Sequence, residues 1–223
     1  MTTPELRRAS AHVLVDDVDA PELSEADAHH VVRVLRIRDG ETVTVTDGAG
    51  RWRTCTASGA SLLPSGDVHA VDRRAEPLTV AFAIPKQDRP EWIVQKLTEL
   101  GIDRIVPMHA ERSVVRWNGD RARKHVAKLR RVAVEALQQS RGVWLPDVAD
   151  PMEAADVLPA AAAAEPGAAP IGRGTRTVAI GPEGGWSPAE LELAASTVSI
   201  GATVLRVETA AIVAGARLVM HAE

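Results

Sequence analysis

The sequence is poor in cysteine and in aromatic residues. Its 223 residues contain one Cys, no Tyr and one Phe. A single cysteine, Cys55, excludes an intramolecular disulfide and any cysteine-based metal cluster, and it is typical of a reducing compartment. With so few aromatic side chains, any stacking on nucleic-acid bases would fall to Trp, His and Arg.

Long apolar runs are absent as well. No stretch approaches the roughly 20 residues of a membrane-spanning helix, and residues 1–8 lack the apolar core of a signal peptide. The seven histidines show no spacing typical of metal ligands. We therefore expect a cytoplasmic protein with no membrane partner and no metal site.

Charge is present, but it is unevenly distributed. The net charge is −4, which argues against indiscriminate coating of nucleic acid. Residues 1–76 carry a net charge of −4, residues 77–145 carry +6 and residues 146–223 carry −6. A basic middle segment in an acidic protein indicates one local surface that binds anions.

The hydrophobic pattern changes near residue 75. Before it, clean alternation in Thr42–Thr46 and the turn Asp47-Gly48-Ala49-Gly50 predict an antiparallel β domain, with one helix over residues 24–36. After it, strands and helices alternate, which is typical of a parallel sheet. The sequence thus predicts a small β domain over residues 1–74 and an α/β domain over residues 75–223.

Three segments of the second half are open to more than one interpretation. The helix predicted over residues 120–140 carries an exposed row of cations, which is either a solvated face or an anion-binding one: Arg121, Lys124, Lys128 and Arg131. A short helix is predicted over residues 151–158. Residues 160–164 favour a helix by alanine propensity, but we predict a strand there.

The most informative stretch covers residues 177–191. The β-branched run Thr177–Ile180 predicts a short buried strand, followed by a glycine-rich loop. Ser187 is a good N-cap, Pro188 suits the first helical position, and Glu190 completes a capping box. Strand, glycine loop and helix N-terminus together predict a ligand-binding corner of an α/β sheet.

Glu183 constrains the ligand of this corner. A phosphate cradle offers bare N–H groups and a Lys, whereas the loop Gly181-Pro182-Glu183-Gly184-Gly185 carries a carboxylate and no Lys. A cationic or ribose-bearing ligand therefore fits better than a polyphosphate. The alternative is a tight turn with a solvated Glu183.

A second stretch, residues 200–211, again predicts strand, glycine-containing loop and a small-residue helix starting near Thr209. The pair G-P-E-G-G and L-R-V-E-T-A resembles the C-terminal signature of the SPOUT methyltransferases. More narrowly, it resembles the bacterial 16S ribosomal RNA (uracil-N3)-methyltransferase family, RsmE. Further blocks that resemble this family are residues 29–41, 47–51, 83–102, 109–113 and 135–142.

This resemblance implies a fold and an activity. The fold is α/β: a C-terminal trefoil-knotted SPOUT methyltransferase domain with a mostly parallel sheet, and a small N-terminal PUA-like β-barrel that binds RNA. The implied cofactor is S-adenosylmethionine, and the implied assembly is a homodimer. The implied product is N3-methyluridine in the 16S ribosomal RNA of the 30S small subunit.

The resemblance also implies site residues. Cofactor-binding residues are Ile180, Gly181, Pro182, Glu183, Gly184, Gly185, Ile200, Gly201, Val204, Leu205, Arg206, Thr209 and Ala210. Arg206 is the candidate for stabilising negative charge on the uracil carbonyls. Glu208 would accept a proton or orient Arg206; a purely structural ion pair is the alternative for both. RNA-binding candidates are Arg33, Arg36, Arg38, Lys86, Arg89, Arg112, Arg116 and Arg141.

The chain departs from the family pattern at a few positions. Thr203 stands where the family usually has Arg, Val207 where it has Thr, Gln138 where it has Glu, and Arg141-Gly142 appears in reversed order. Two other functions remain open. A related knotted methyltransferase acting on a tRNA ribose 2′-OH is disfavoured by the N-terminal blocks, whereas the departures keep open a non-catalytic RNA-binding assembly factor.

Overall fold

The chain forms two compact units. The computed structural model of the protein describes residues 3–24 and 37–222. Unit 1 comprises residues 1–74 and 134–145, and unit 2 comprises residues 75–133 and 146–223. The helix predicted over residues 24–36, with Arg33, Arg36 and His29-His30, lies outside the described residues. The domain boundary expected after residue 74 stays a prediction.

Unit 1 is built on a five-stranded sheet that follows a short helix, α1 (Pro4–Arg8). Its strands are β1 (Ala11–Leu14), β2 (Thr42–Thr46), β3 (Arg51–Ser58), β4 (Ser61–Pro64) and β5 (His69–Ala70). Strand β3 pairs antiparallel with β2, β4 and β5, but β1 runs parallel to β2. The expectation of a wholly antiparallel domain was therefore wrong at β1, because its partner β2 lies about thirty residues further along the chain.

Strand β2 is buried on both faces, not on one. Val43 and Val45 pack with Cys55 in the core of unit 1, as the alternation predicts. Thr44 and Thr46 are buried too; the Thr46 hydroxyl donates to the carbonyl of Arg51, and Thr44 Oγ1 bonds to His12 Nδ1. These local bonds let two Thr side chains occupy a covered face.

His12 is a buried structural histidine of unit 1. Its Nε2 lies 2.8 Å from the carbonyl oxygen of Gly142, and its Nδ1 lies 2.9 Å from Thr44 Oγ1. Because a carbonyl only accepts, Nε2 carries the proton and Nδ1 accepts from the hydroxyl. Burial lowers the pKa of His12 to about 4, so the ring stays neutral and keeps both contacts at neutral pH.

Unit 2 is a seven-stranded sheet in which every pairing is parallel. Its strands are β6 (Thr79–Ala83), β7 (Arg104–His109), β8 (Asp147–Val148), β9 (Met152–Glu153), β10 (Ala162–Ala164), β11 (Thr177–Ile180) and β12 (Ser196–Val198). The order across the sheet is β12-β10-β11-β6-β7-β8, and β9 also pairs with β7. The predicted mostly parallel sheet is confirmed.

Five helices begin in unit 2. They are α2 (Arg89–Glu99), α3 (Gly119–Ser140), α4 (Ala154–Val157), α5 (Pro188–Leu193) and α6 (Val207–Ala222). Helix α2 ends as predicted, with Gly101 at φ +79° just past its end. Gly215 lets α6 approach α2 closely, since a Cβ there would lie 2.5 Å from Leu97 Cδ2.

The chain around residue 160 differs from a simple helix. The short helix predicted over residues 151–158 is present as the single turn α4, which is preceded by strand β9 and followed by a 3₁₀ turn at Leu158–Ala160. The predicted strand is confirmed as β10, which lies between β11 and β12. Pairing on both edges overrides the helix propensity of alanine.

The sequence predicts neither a membrane-spanning helix nor a metal site. Within 3–24 and 37–222, no helix is long and apolar enough to span a membrane. Over the same ranges, no group of three or more His, Cys, Asp or Glu side chains is arranged to hold a metal ion. The trefoil knot stays a prediction.

Candidate functional site

A cavity of about 160 Å³ lies in unit 2, where β10, β11 and β12 end. Carboxyl ends of parallel strands are the usual ligand-binding edge of an α/β sheet. Four segments form the wall: the first loop (residues 181–186) after β11, the second loop (residues 199–206) after β12, Glu165-Pro166 after β10, and the first turn of α6. The sheet order therefore brings the two glycine loops to one cavity.

Most of the predicted cofactor residues line this cavity. Those that do are Ile180, Gly181, Pro182, Glu183, Gly185, Ile200, Gly201, Val204, Leu205 and Ala210. Gly184, Arg206 and Thr209 are not among the lining residues. Whether any of them contacts a cofactor stays a prediction.

Part of the wall was not predicted from the sequence. The missed lining residues are Ala164, Glu165, Pro166, Trp186, Ser199, Thr203 and Val207. Glu165 and Pro166 follow β10, whose place between β11 and β12 depends on strand pairing and has no local signal. Trp186 could have been found, because it directly follows G-P-E-G-G and is one of only five Trp in the chain.

Trp186 anchors the first loop to the hydrophobic core. Its side chain is buried in a hydrophobic core cluster of unit 2, and its Nε1–H donates to the carbonyl of Ala164 over 3.0 Å. A Cβ on Gly181 would lie 2.8 Å from the indole Cε2. The loop thus needs glycine at 181 because the indole packs directly on the backbone.

A capping box closes the first loop, as predicted. Ser187 Oγ accepts from the backbone N–H of Glu190, and Glu190 Oε2 accepts from the backbone N–H of Ser187 over 2.9 Å. The other oxygen of this buried carboxylate accepts from the N–H of Glu111 over 2.8 Å. Arg112 Nη1 donates to the carbonyl of Gly184 over 3.1 Å. Residues from three parts of unit 2 therefore fix one loop.

The second loop is exposed over residues 202–204 and at Arg206. Val204 is 85% exposed, and Thr203 and Arg206 are exposed as well. Its bonds cluster at Ser199, whose N–H donates to the carbonyl of Ala169 and whose hydroxyl donates to the carbonyl of Gly201. After Gly201, the side chains of the loop can change conformation when a ligand binds.

Glu208 lies at the start of α6, which begins two residues earlier than predicted. Its carboxylate is buried, and Arg89 Nε lies 3.6 Å from Oε1. Its Oε2 has no hydrogen-bond partner in the described part of the chain. Arg89 Nη1 also lies 3.8 Å from Glu183 Oε1. Among residues 3–24 and 37–222, Arg206 forms no ion pair, so the cation beside Glu208 is Arg89.

The RNA-binding candidates of unit 2 differ in whether their charge is already paired with an anion of the protein. Lys86 and Arg112 are exposed. Arg116 Nη2 lies 2.7 Å from Glu153 Oε2, and His109 Nδ1 lies 3.2 Å from the other oxygen of Glu153. Burial opposes ionisation of Glu153, but the hydrogen bonds from Arg116 and His109 hold its pKa below the usual value. Arg116 is thus already paired with an anion.

The described RNA-binding candidates of unit 1 are Arg38 and Arg141. Arg38 is exposed. Arg141 follows α3 with φ +62°, and its Nη2 donates to the carbonyl of Ala9 over 3.0 Å. Gly142 N–H returns to the carbonyl of Leu137, which closes a Schellman-type end with Arg in the left-handed position. The reversed order thus puts Arg at a left-handed position that Gly would occupy at lower steric cost, and it puts Gly at 142, where a Cβ would lie 2.8 Å from Leu137 Cδ1.

Comparison with known proteins defines the class. A family model described as an RNA methyltransferase domain matches residues 73–219, and one described as an RNA methyltransferase PUA domain matches residues 23–61. The chain is an RNA methyltransferase with a PUA-like N-terminal domain. It belongs to the ribosomal RNA small subunit methyltransferase E family.

One relative and two solved structures illustrate the likeness. Ribosomal RNA small subunit methyltransferase E of Mycobacterium bovis is 33% identical over 220 residues, covering 83% of this chain and 80% of that one. A Legionella pneumophila methyltransferase structure with bound cofactor SAM has a TM-score of 0.81 and 26% identity, covering 95% and 97%. An rRNA-methyltransferase structure from Porphyromonas gingivalis has a TM-score of 0.75 and 28% identity, covering 92% and 95%. The predicted α/β class with a PUA-like N-terminal domain and the predicted family are confirmed.

Proposed function

We propose that this chain transfers the methyl group of S-adenosylmethionine to N3 of a uridine in 16S ribosomal RNA. The observation that supports this most is the cavity at the ends of β10, β11 and β12, whose wall contains both glycine loops of the family signature. Family membership supports the same reaction. The homodimer, the 30S subunit as partner and a cytoplasmic location are parts of this proposal.

The lining of the cavity suits a cationic cofactor. Of the described residues that form the wall, none is Lys or Arg, whereas Glu165 and Glu183 are carboxylates. Gly201 leaves room, since a Cβ there would meet only Leu205 Cδ1 at 3.6 Å. Bound S-adenosylmethionine supplies an electrophilic methyl group on a positively charged sulfur, which anions in the wall would favour. Backbone groups of both loops would orient the adenosine.

Transfer to N3 requires loss of the N3 proton and correct alignment of the base. The chain's contribution would be mainly positioning and stabilisation of negative charge on the uracil carbonyls. Arg206 is exposed on the second loop beside the cavity and has no ion pair among the described residues, so its guanidinium is available for that role. Glu208 is paired with Arg89, and this supports a role other than orienting Arg206.

The RNA would be positioned by cations outside the cavity. Lys86 and Arg112 are exposed in unit 2 and suit contacts to phosphate oxygens, which fix the register of an RNA without reading its sequence. The target uridine would have to leave its stack to reach the methyl group. Thr203 and Val207, where the chain departs from the family pattern, line the cavity. They would change how the target uridine fits beside the methyl group.

Primer extension tests the proposal. Reverse transcription of 16S ribosomal RNA incubated with the protein and S-adenosylmethionine should stop at one uridine, because N3 methylation blocks base pairing. No stop should occur without the cofactor. We expect Arg206→Ala to bind the cofactor normally and to lose the stop.

Other outcomes separate the alternatives. Methylation of a ribose 2′-OH, detected by mass mapping without a site-specific loss of base pairing, would contradict the N3 assignment. Calorimetry that shows no binding of S-adenosylmethionine to the wild-type protein would contradict the enzyme and favour an RNA-binding assembly factor.

A further inference from the structure

One cation contacts the segments that carry both glycine loops. Arg89 is the first residue of α2. Its Nη1 lies 3.8 Å from Glu183 Oε1 in the first loop, and its Nε lies 3.6 Å from Glu208 Oε1, directly after the second loop. Both distances exceed hydrogen-bond length, so Arg89 acts as a shared positive charge between two carboxylates.

The burial of Glu208 requires the positive charge of Arg89. The side chain of Glu208 is only 6% exposed, and its Oε2 has no hydrogen-bond partner among the described residues. A buried carboxylate without hydrogen bonds is unfavourable unless a cation compensates it. Without Arg89, the charge of Glu208 would be uncompensated, and the like charges of Glu183 and Glu208, which both lie near Arg89, would repel each other.

The position of Arg89 is defined by rigid elements. It lies at the N-terminus of α2, next to the buried Pro90, and α2 packs against α6 through Gly215. A side chain anchored on a packed helix can set the spacing of two loops better than a side chain on either loop could. About 30% of the Arg89 side chain is exposed, so most of it is committed to the protein and not to solvent.

We propose that Arg89 is a positioning residue that holds the first and second loops at the spacing that S-adenosylmethionine requires, and not the RNA contact that sequence reasoning predicted. This inference rests on the proposed function, because it assumes that the cavity binds this cofactor. Its distinctive consequence is that loss of Arg89 weakens cofactor binding while RNA binding stays unchanged. A residue that contacts phosphate would show the opposite pattern.

The test measures two affinities for each of three variants. Calorimetry with S-adenosylmethionine gives the first, and filter binding of a 16S ribosomal RNA fragment at several salt concentrations gives the second. Arg89→Met should weaken cofactor binding by about tenfold or more and leave RNA affinity and its salt slope unchanged. Arg89→Lys should recover part of the loss, because it keeps the charge but lacks the guanidinium fork.

Arg104→Met is the matched control. Arg104 begins β7, and its Nε lies 3.4 Å from Asp147 Oδ2, so it too is an Arg paired with a carboxylate. It lies at the amino ends of the strands, the edge opposite the cavity. We expect its removal to leave cofactor affinity unchanged.

A double variant keeps the inference testable if Arg89→Met folds poorly. Arg89→Met combined with Glu208→Gln removes the uncompensated charge and should restore thermal stability, but cofactor affinity should stay low because the loops are no longer linked. Full cofactor affinity in this folded double variant would overturn the inference.

Two further results would be decisive. If the wild-type protein binds S-adenosylmethionine and Arg89→Met binds it equally well, the inference fails while the proposed function stands. The inference also fails if Arg89→Met loses RNA affinity and keeps cofactor affinity. If the wild-type protein binds no S-adenosylmethionine, the proposed function itself fails, and the inference with it.

Discussion

The two loops of the cavity have the same local plan but differ in how firmly they are fixed. Each follows a parallel strand, contains glycine and leads into a helix. The first loop is bonded to Ala164 and Arg112, and Glu190 of the capping box that follows it is bonded to Glu111. The second loop has its bonds near Ser199 and then becomes exposed, with Val204 at 85%.

This difference indicates a division of labour. Segments with few buried contacts open at low free-energy cost, whereas fixed segments open only with the surrounding core. The first loop would form a preordered wall of the cavity. The second loop would lose most of the conformational entropy that is lost when a ligand binds. The following predictions test that comparison in order of decreasing effect.

Trp186→Ala should have the largest effect on stability. Loss of the buried indole and of its bond to Ala164 should lower the free energy of unfolding by about 3–5 kcal/mol. Val204→Ala in the second loop should change it by about 0.5 kcal/mol or less, because Val204 is mostly in solvent. Urea denaturation of both variants measures the contrast, and similar losses would break the comparison.

Glu190→Ala should destabilise the protein by about 2 kcal/mol. The change leaves the N–H groups of Ser187 and Glu111 without acceptors in a buried setting. Glu192→Ala is the control, since Glu192 is exposed on the same helix. Thermal unfolding of the two variants should separate them, and a loss confined to Glu192→Ala would contradict the capping role.

A pair of glycine substitutions should differ by about 1–2 kcal/mol. Gly181→Ala places a Cβ 2.8 Å from the buried Trp186 ring, and overpacking of this kind is costly. Gly201→Ala meets only Leu205 at 3.6 Å and should leave stability within about 0.5 kcal/mol. Equal denaturation midpoints would show that the two loops are packed alike.

Hydrogen exchange with and without S-adenosylmethionine should show a smaller, local effect. Amides of residues 202–206 should become about tenfold more protected when the cofactor is added, because ordering lowers the population of open states. Amides of residues 183–187 should already be protected and change little. Equal gains in both loops would mean that the first loop is not preformed.

Some of the fold follows from local pattern alone. The strand Thr177–Ile180 and the capping box of Ser187 and Glu190 were predicted and confirmed, because both depend on residues within a few positions of one another. The segment around residue 160 was harder, since three alanines favour a helix until strands on both sides supply pairing partners. Both predicted glycine loops line the cavity, whereas Glu165 and Trp186 of its wall were not predicted; that any of these residues binds a cofactor stays a prediction.

By itself, the sequence determined the parallel α/β class, the two glycine loops and the family, because each is written in short runs of neighbouring residues. Only the tertiary structure decided that β10 lies between β11 and β12, so that Glu165-Pro166 joins the cavity wall. It also decided that Glu208 pairs with Arg89, more than a hundred residues away, and not with its neighbour Arg206. The physical reason is that strand order and ion pairs are set by which distant surfaces the chain buries together, and local spacing does not encode that choice.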